Sequence, residues 1–275
     1  MRRLLNHWLA LLIAGFHCVA SSAANDNPFP GGAAAYVVEA QAHTLWSRDA
    51  DRALPPASLT KIMTALLFLE SGLPLDGVVT MSVNVQRATG TRLRLRAGEQ
   101  MRTRDVLAAM LLYSANDACL ALAEHVAGSK ARFAELMNAR ALALGLTRTH
   151  FTNPCGHDEP KHRSSARDLA ALSRITMRQP VFAELVRTVD LRVTTLGGRS
   201  FDLENKNELI GRFAGAIGVK SGFTPGAGNC LVALAERDGV SVLLVVLNAP
   251  NRWWDTTAIL DRAFERVRSA SSPIN

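Results

Sequence analysis

The chain has 275 residues, 48% of them hydrophobic and 20% charged, with a formal net charge of +7. Its apolar content can offset the entropy of folding, which excludes intrinsic disorder as the main state, and its length fits one large domain or two small ones. Four cysteines are too few for a disulfide-stapled mini-protein, and no series of long apolar runs marks a polytopic membrane protein.

Arg2 and Arg3 lead an apolar stretch over 8–19, and Ser22 and Ala24 are small residues placed for cleavage. Residues 1–24 therefore read as an export signal and 25–275 as a single mature domain. The bulky His17 before Cys18 argues against lipidation there. Apolar alternation at 36–39 and 45–48, around a polar turn, predicts a hairpin. Helical periods follow at 58–70, 103–113, 117–126, 129–144, 165–177 and 181–188, several opened by Ser or Thr and two closed by Gly128 and Gly145.

Between the first two helical patterns, Arg92, Arg94 and Arg96 alternate with Leu93 and Leu95, which predicts a strand with one solvated face. Arg87, Arg102 and Arg104 complete this basic cluster, and no aromatic residue interleaves it. Nucleic acid therefore has no stacking platform and is not expected as a partner. After 190 the period returns to that of strands, at 193–195, 217–224, and 230–236 with 240–247 across Arg237-Asp238-Gly239. A last helix over 253–267 has apolar spacing suited to a sheet, and Trp253 and Trp254 at its start read as packed there rather than as a glycan platform.

Strands at both ends enclosing a helical middle predict an α+β fold. One antiparallel sheet is formed by both termini and flanked by helices, with a helical subdomain inserted at roughly 58–190. Beyond the leader, three cysteines remain, an odd number, so at least one is free or pairs between molecules. The apolar helical pattern around Cys119 and the strand pattern around Cys230 predict buried thiols at both.

Ser58-Leu59-Thr60-Lys61 opens the first helical pattern, and three residues is nearly one turn, so hydroxyl and amine share a face. The apolar set Leu59, Ile62, Met63, Leu66, Leu67 and Leu69 would bury the helix and desolvate the amine. Desolvation lowers a Lys pKa from its usual ~10.4, and a neutral amine can act as base toward a hydroxyl. Alone, S-x-x-K also describes a helix N-cap followed by a surface lysine. Two further pieces occur in order: Ser114-Ala115-Asn116 in the break between two helices, and Lys220-Ser221-Gly222 on a strand. Together they match the motif set of penicillin-binding proteins and class A β-lactamases.

With PPASLTKIMTA from Pro55, SANDACLALAEHVAG from Ser114, HFTNPCG from His150, SSARDLAAL from Ser164 and GVKSGFTPGAGNCLVALAERDG from Gly218, the chain resembles the serine-type D-alanyl-D-alanine carboxypeptidases, the low-molecular-mass penicillin-binding proteins. The resemblance implies the serine β-lactamase/penicillin-binding protein fold and removal of the terminal D-Ala from peptidoglycan stem peptides through an acyl-enzyme, without cofactor or metal. It implies β-lactam antibiotics as covalent inhibitors and a place in the periplasm or cell envelope. Ser58 would be the nucleophile, Lys61 its base and Ser114 a proton relay. Asn116 would orient Lys61 and the substrate amide, and Lys220 and Ser221 would bind the terminal carboxylate. The N–H groups of Ser58 and Phe223 would form the oxyanion hole, and Gly222 would leave room for substrate along the strand.

Ser221 departs from the commoner Thr and keeps the hydroxyl. Because the sequence ends soon after its last helical pattern, no C-terminal membrane anchor is expected. Cleavage of peptidoglycan crosslinks is the nearest alternative on the same site. A β-lactamase is weaker because no acid stands in an E-x-x-L-N pattern. For the basic cluster, anionic cell-wall polymer is the functional alternative to a solvated face. Cys155, His157, Asp158 and His162 are close in sequence but fit no standard zinc spacing.

Overall fold

A computed structural model describes residues 27–29, 31–250 and 252–271. The expected leader, Cys18 and the side chains of Trp253 and Trp254 lie outside the described residues. Strands β1 (Ala35–Ala40) and β2 (His43–Arg48) form the N-terminal hairpin, while β7 (Ala216–Thr224), β8 (Gly228–Arg237) and β9 (Val240–Ala249) come from the other end of the chain. All five join one antiparallel sheet in the order β2-β1-β9-β8-β7, so the two ends of the domain meet where β1 pairs with β9. Between them run a 3-10 turn (Ala57–Thr60), α1 (Lys61–Glu70), α2 (Thr103–Leu111), α3 (Asn116–Ala127), α4 (Lys130–Ala143), α5 (Ala166–Thr176) and α6 (Pro180–Arg187).

Both faces of the central strands are apolar because both are covered. Val37, Leu243, Val245 and Leu247 point into the larger core with α1, α2, α3 and α5. Their neighbours Tyr36, Val38, Val242, Leu244 and Val246 pack on Ile259, Leu260, Ala263 and Phe264 of α7 (Arg252–Ser271). The period of two along the strands meets a helical stripe on α7, and this sandwich fixes the register of the sheet.

Short features escaped the sequence reading. Two-stranded ribbons pair β3 (Val78–Thr80) with β4 (Gln100–Arg102), and β5 (Asp190–Thr194) with β6 (Ser200–Glu204); three of these four strands carried too little alternation to be predicted. The strand expected at Arg92–Arg96 is absent: the segment is a loop in which Arg94 has φ +58°, incompatible with an extended chain. Its amides turn inward, where Leu93 N–H and Leu95 N–H donate to the carboxylate of buried Asp117 on α3 at 3.1 and 3.0 Å. The alternation of Leu and Arg thus reflects a loop pinned by one buried acid, with its arginines exposed.

Cys119 is likewise corrected. It is buried, but it forms a disulfide with Cys155, 36 residues away on the loop before α5. Helical periodicity around Cys119 carries no information about so distant a partner. Cys230 is buried, as expected, and stands outside this disulfide, its Sγ 3.8 Å from the carbonyl oxygens of Pro55 and Ala227. Among the described residues no helix is long and apolar enough to cross a membrane.

Candidate active site

Strand β7 is the edge of the sheet, and its open side faces the 3-10 turn that carries Ser58. Contact is close: a Cβ placed on Gly222 would lie 2.8 Å from Ser58 N and 3.1 Å from Ala57 Cβ. Gly222 is therefore required first for the approach of β7 to the turn. From the other side, Gly156 (φ +87°) lies so near that a Cβ there would collide with the Ala57 carbonyl. The Ser58 amide is thus held between a strand and a loop.

The turn itself is strained. Ala57 sits at φ +48°, and Ser114, in the break between α2 and α3, at φ +64°. Neither residue type favours that region, so surrounding contacts must hold them there. Thr60 Oγ1 donates to Ala57 O at 2.8 Å and lies 2.8 Å from His162 Nε2. Because Thr152 N–H donates to His162 Nδ1 at 3.0 Å, the proton of the imidazole belongs on Nε2, which donates to Thr60. Burial holds His162 neutral, with its pKa lowered to about 4.

Lys61 is fully buried at the first position of α1. Its Nζ is 3.0 Å from Ser58 Oγ, 2.7 Å from Asn116 Oδ1 and 2.7 Å from the Cys155 carbonyl oxygen. Burial, and secondarily the positive charge of Lys220, push its pKa well below the ordinary lysine value. Asn116 is fixed in turn, its Nδ2 donating to Thr89 O at 2.6 Å. Lys220, also buried, donates from Nζ to Ser221 O at 3.0 Å, and Ser221 Oγ donates to Lys206 O at 2.9 Å.

These parts border a cleft of about 400 Å³ lined by Ser58, Ser114, Asn116, His157, Phe223 and Thr224, among others, with the Phe223 ring exposed. Of the eight residues predicted for the site, Ser58, Lys61, Ser114, Asn116 and Phe223 are linked by direct contact or shared cleft; Gly222 abuts Ser58, and Lys220 and Ser221 lie beside it on β7.

Three of the four residues considered for a metal have other places, and His157 lines the cleft. Cys155 is in the disulfide and His162 braces Thr60. Asp158 accepts from Thr224 Oγ1 at 2.6 Å and Gly226 N at 2.9 Å, which ties the loop to the turn after β7. Sequence reasoning missed the backbone of the 151–158 loop, and above all the Cys155 carbonyl, because a backbone acceptor leaves no residue-type signal.

Half-buried Ser58 and buried Lys61 thus lie between an Asn-bearing helix and a Lys-Ser-Gly edge strand. Residues 23–251 match the profile of D-alanyl-D-alanine carboxypeptidase. The chain belongs to that family. It is 34% identical over 235 residues to D-alanyl-D-alanine carboxypeptidase DacF of Bacillus subtilis, covering 82% of this chain and 60% of that protein, so it spans less than two thirds of that relative. A D-alanyl-D-alanine endopeptidase of Pseudomonas aeruginosa is 37% identical over 213 residues, covering 74% of this chain and 67% of the relative. The crystal structure of D-alanyl-D-alanine carboxypeptidase from Mycobacterium tuberculosis superposes with a TM-score of 0.80 at 31% identity, covering 86% of this chain and 92% of the other. The expected α+β penicillin-binding fold is therefore the fold of this family member.

Proposed function

We propose that this family member is a serine DD-carboxypeptidase that removes the terminal D-Ala from peptidoglycan stem peptides through an acyl-enzyme on Ser58. The observation that carries this reading is the three-oxygen cradle of Lys61 Nζ. A neutral amine has two N–H bonds and one lone pair. Asn116 Oδ1 and Cys155 O can only accept, so they take the two N–H bonds and leave the lone pair directed at the Ser58 hydroxyl.

Ser58 Oγ then attacks the carbonyl of the penultimate D-Ala while its proton passes to Lys61. Ser114, on the same cleft, relays that proton to the departing D-Ala nitrogen as the C–N bond breaks. The amides of Ser58 and Phe223 stabilise the developing oxyanion. Lys220 supplies the charge for the terminal carboxylate, and Ser221 turns its hydroxyl from Lys206 O to donate to it. Water then hydrolyses the ester. Residues 1–24 act as an export signal that delivers the 25–275 domain to the periplasm or cell envelope, and β-lactams, which mimic the scissile amide, acylate the same serine.

The named activity of the Pseudomonas relative favours a second reading, cleavage of crosslinks by the same acyl-enzyme. Mass spectrometry of products from a pentapeptide and a crosslinked dimer at matched concentrations separates the two. Release of one D-Ala from the pentapeptide is expected to be faster. Faster dimer cleavage with little free D-Ala would establish the endopeptidase reading instead.

A further inference from the structure

Both oxygens that hold the Lys61 amine are attached to one covalent link. Asn116 opens α3, and Cys119 lies one turn further along the same helix. Cys155 provides the second oxygen from its own carbonyl and is bonded to Cys119 through sulfur, with Sγ also 3.7 Å from the Asn116 carbonyl. The loop that bears Cys155 has no regular secondary structure over 151–158. Phe151 N and O pair with the Asn138 side-chain amide on α4 and Thr152 N donates to His162; further along, Asn153 Oδ1 accepts the amides of 155, 156 and 157, Pro154 O accepts from Thr64 Oγ1, and Asp158 accepts from Thr224 Oγ1 and Gly226 N. Those ties shape the loop and hold it to α1, α4 and the sheet. The disulfide joins it directly to α3, where the other lysine acceptor sits.

We infer that Cys119 and Cys155 are positioning residues for the reaction, and that their disulfide sets the spacing between the Asn116 and Cys155 oxygens so that the Lys61 lone pair points at Ser58. This inference rests on the reading of Lys61 as the base. Without the link the loop can retreat from α3, and an amine with only one fixed acceptor rotates. A small loss of alignment of this kind is costly in rate. Water entering the gap would also favour the charged ammonium. The charged and titratable groups around Lys61 are Lys220 on β7, His157 and His162 from the loop side, and Asp117 on α3, whose carboxylate is turned to the Leu93 and Leu95 amides. Opening the disulfide removes none of these; reduction adds two thiols and the Ala/Ala variant adds none, so a change in the pH profile shared by both forms reports on the cradle itself.

The experiment follows acylation of Ser58 by a β-lactam as a function of pH. Three preparations are compared: the oxidised enzyme, the folded enzyme reduced with a phosphine, and the double variant Cys119→Ala/Cys155→Ala. Circular dichroism verifies the fold, and reduction of the folded protein does not require the variant to fold. Both disulfide-free forms should acylate at least ~10-fold more slowly at neutral pH, with the acid limb of the profile moved to higher pH and little change in initial β-lactam affinity. A lower melting temperature with unchanged rate and unchanged acid limb would overturn the inference and leave the serine-lysine reading intact. Failure of the oxidised enzyme to acylate at Ser58 would remove that reading, and this inference with it.

Discussion

In the proposed mechanism Lys61 serves as the base because its surroundings oppose its charge. Burial is the main cause and the Lys220 ammonium the second, and both favour the neutral amine. The rate of acylation should therefore rise with pH as Lys61 loses its proton. In Lys220→Ala one nearby positive charge is gone, Lys61 holds its proton to higher pH, and the acid limb must shift in the alkaline direction. The same variant should lose about 100-fold in acylation by a substrate with a terminal carboxylate and much less with one that lacks it. Stopped-flow profiles with the two substrates check both statements; equal losses, with the limb unmoved, would assign Lys220 a structural role. Ser58, Lys61, Ser114 and Lys220 could be singled out in the sequence because the chemistry proposed for them is tied to residue type and spacing. The Cys155 carbonyl and the positive φ of Ala57 and Ser114 could not, since any residue carries a carbonyl and neither Ala nor Ser announces a left-handed backbone.

The elements around the site are braced by groups whose role depends on protonation. His162 links the loop at Thr152 to the 3-10 turn at Thr60, and accepting the Thr152 amide requires Nδ1 to be unprotonated. Its pKa is about 4 when folded against an ordinary 6.5, so between these values the unfolded chain binds the proton first. Stability is therefore fully present above pH 6.5 and declines as the pH falls toward 4, by on the order of 3 kcal/mol for this group. Chemical denaturation across that range should show the decline, and His162→Gln, although less stable overall, should show a flatter dependence. An unchanged slope in the variant would mean that other groups control acid unfolding.

At this scale the sequence was legible for long periodic helices and for the β8–β9 hairpin, where apolar period and turn chemistry agree. It misled at Arg92–Arg96, where a buried carboxylate 21 residues or more downstream overrides local alternation by taking the amides that a strand would have paired. The disulfide was hidden for the same reason, since its halves are brought together only by tertiary packing.

For the molecule as a whole, the topology was readable because strands at both ends and helices between them leave few ways to bury two apolar sheet faces. That topology is also what brings the three motifs together. The serine turn enters after the N-terminal hairpin, the Asn-bearing helix lies in the inserted region, and the Lys-Ser-Gly strand arrives more than 150 residues after Ser58 as the edge of the same sheet. The central claim is that this convergence makes Ser58 a nucleophile, and covalent capture tests it most directly. Intact-protein mass after incubation with a β-lactam should rise by one ligand, peptide mapping should place the adduct on Ser58, and Ser58→Ala should show none. A persistent adduct in Ser58→Ala, or no adduct on the oxidised wild-type protein, would contradict the account.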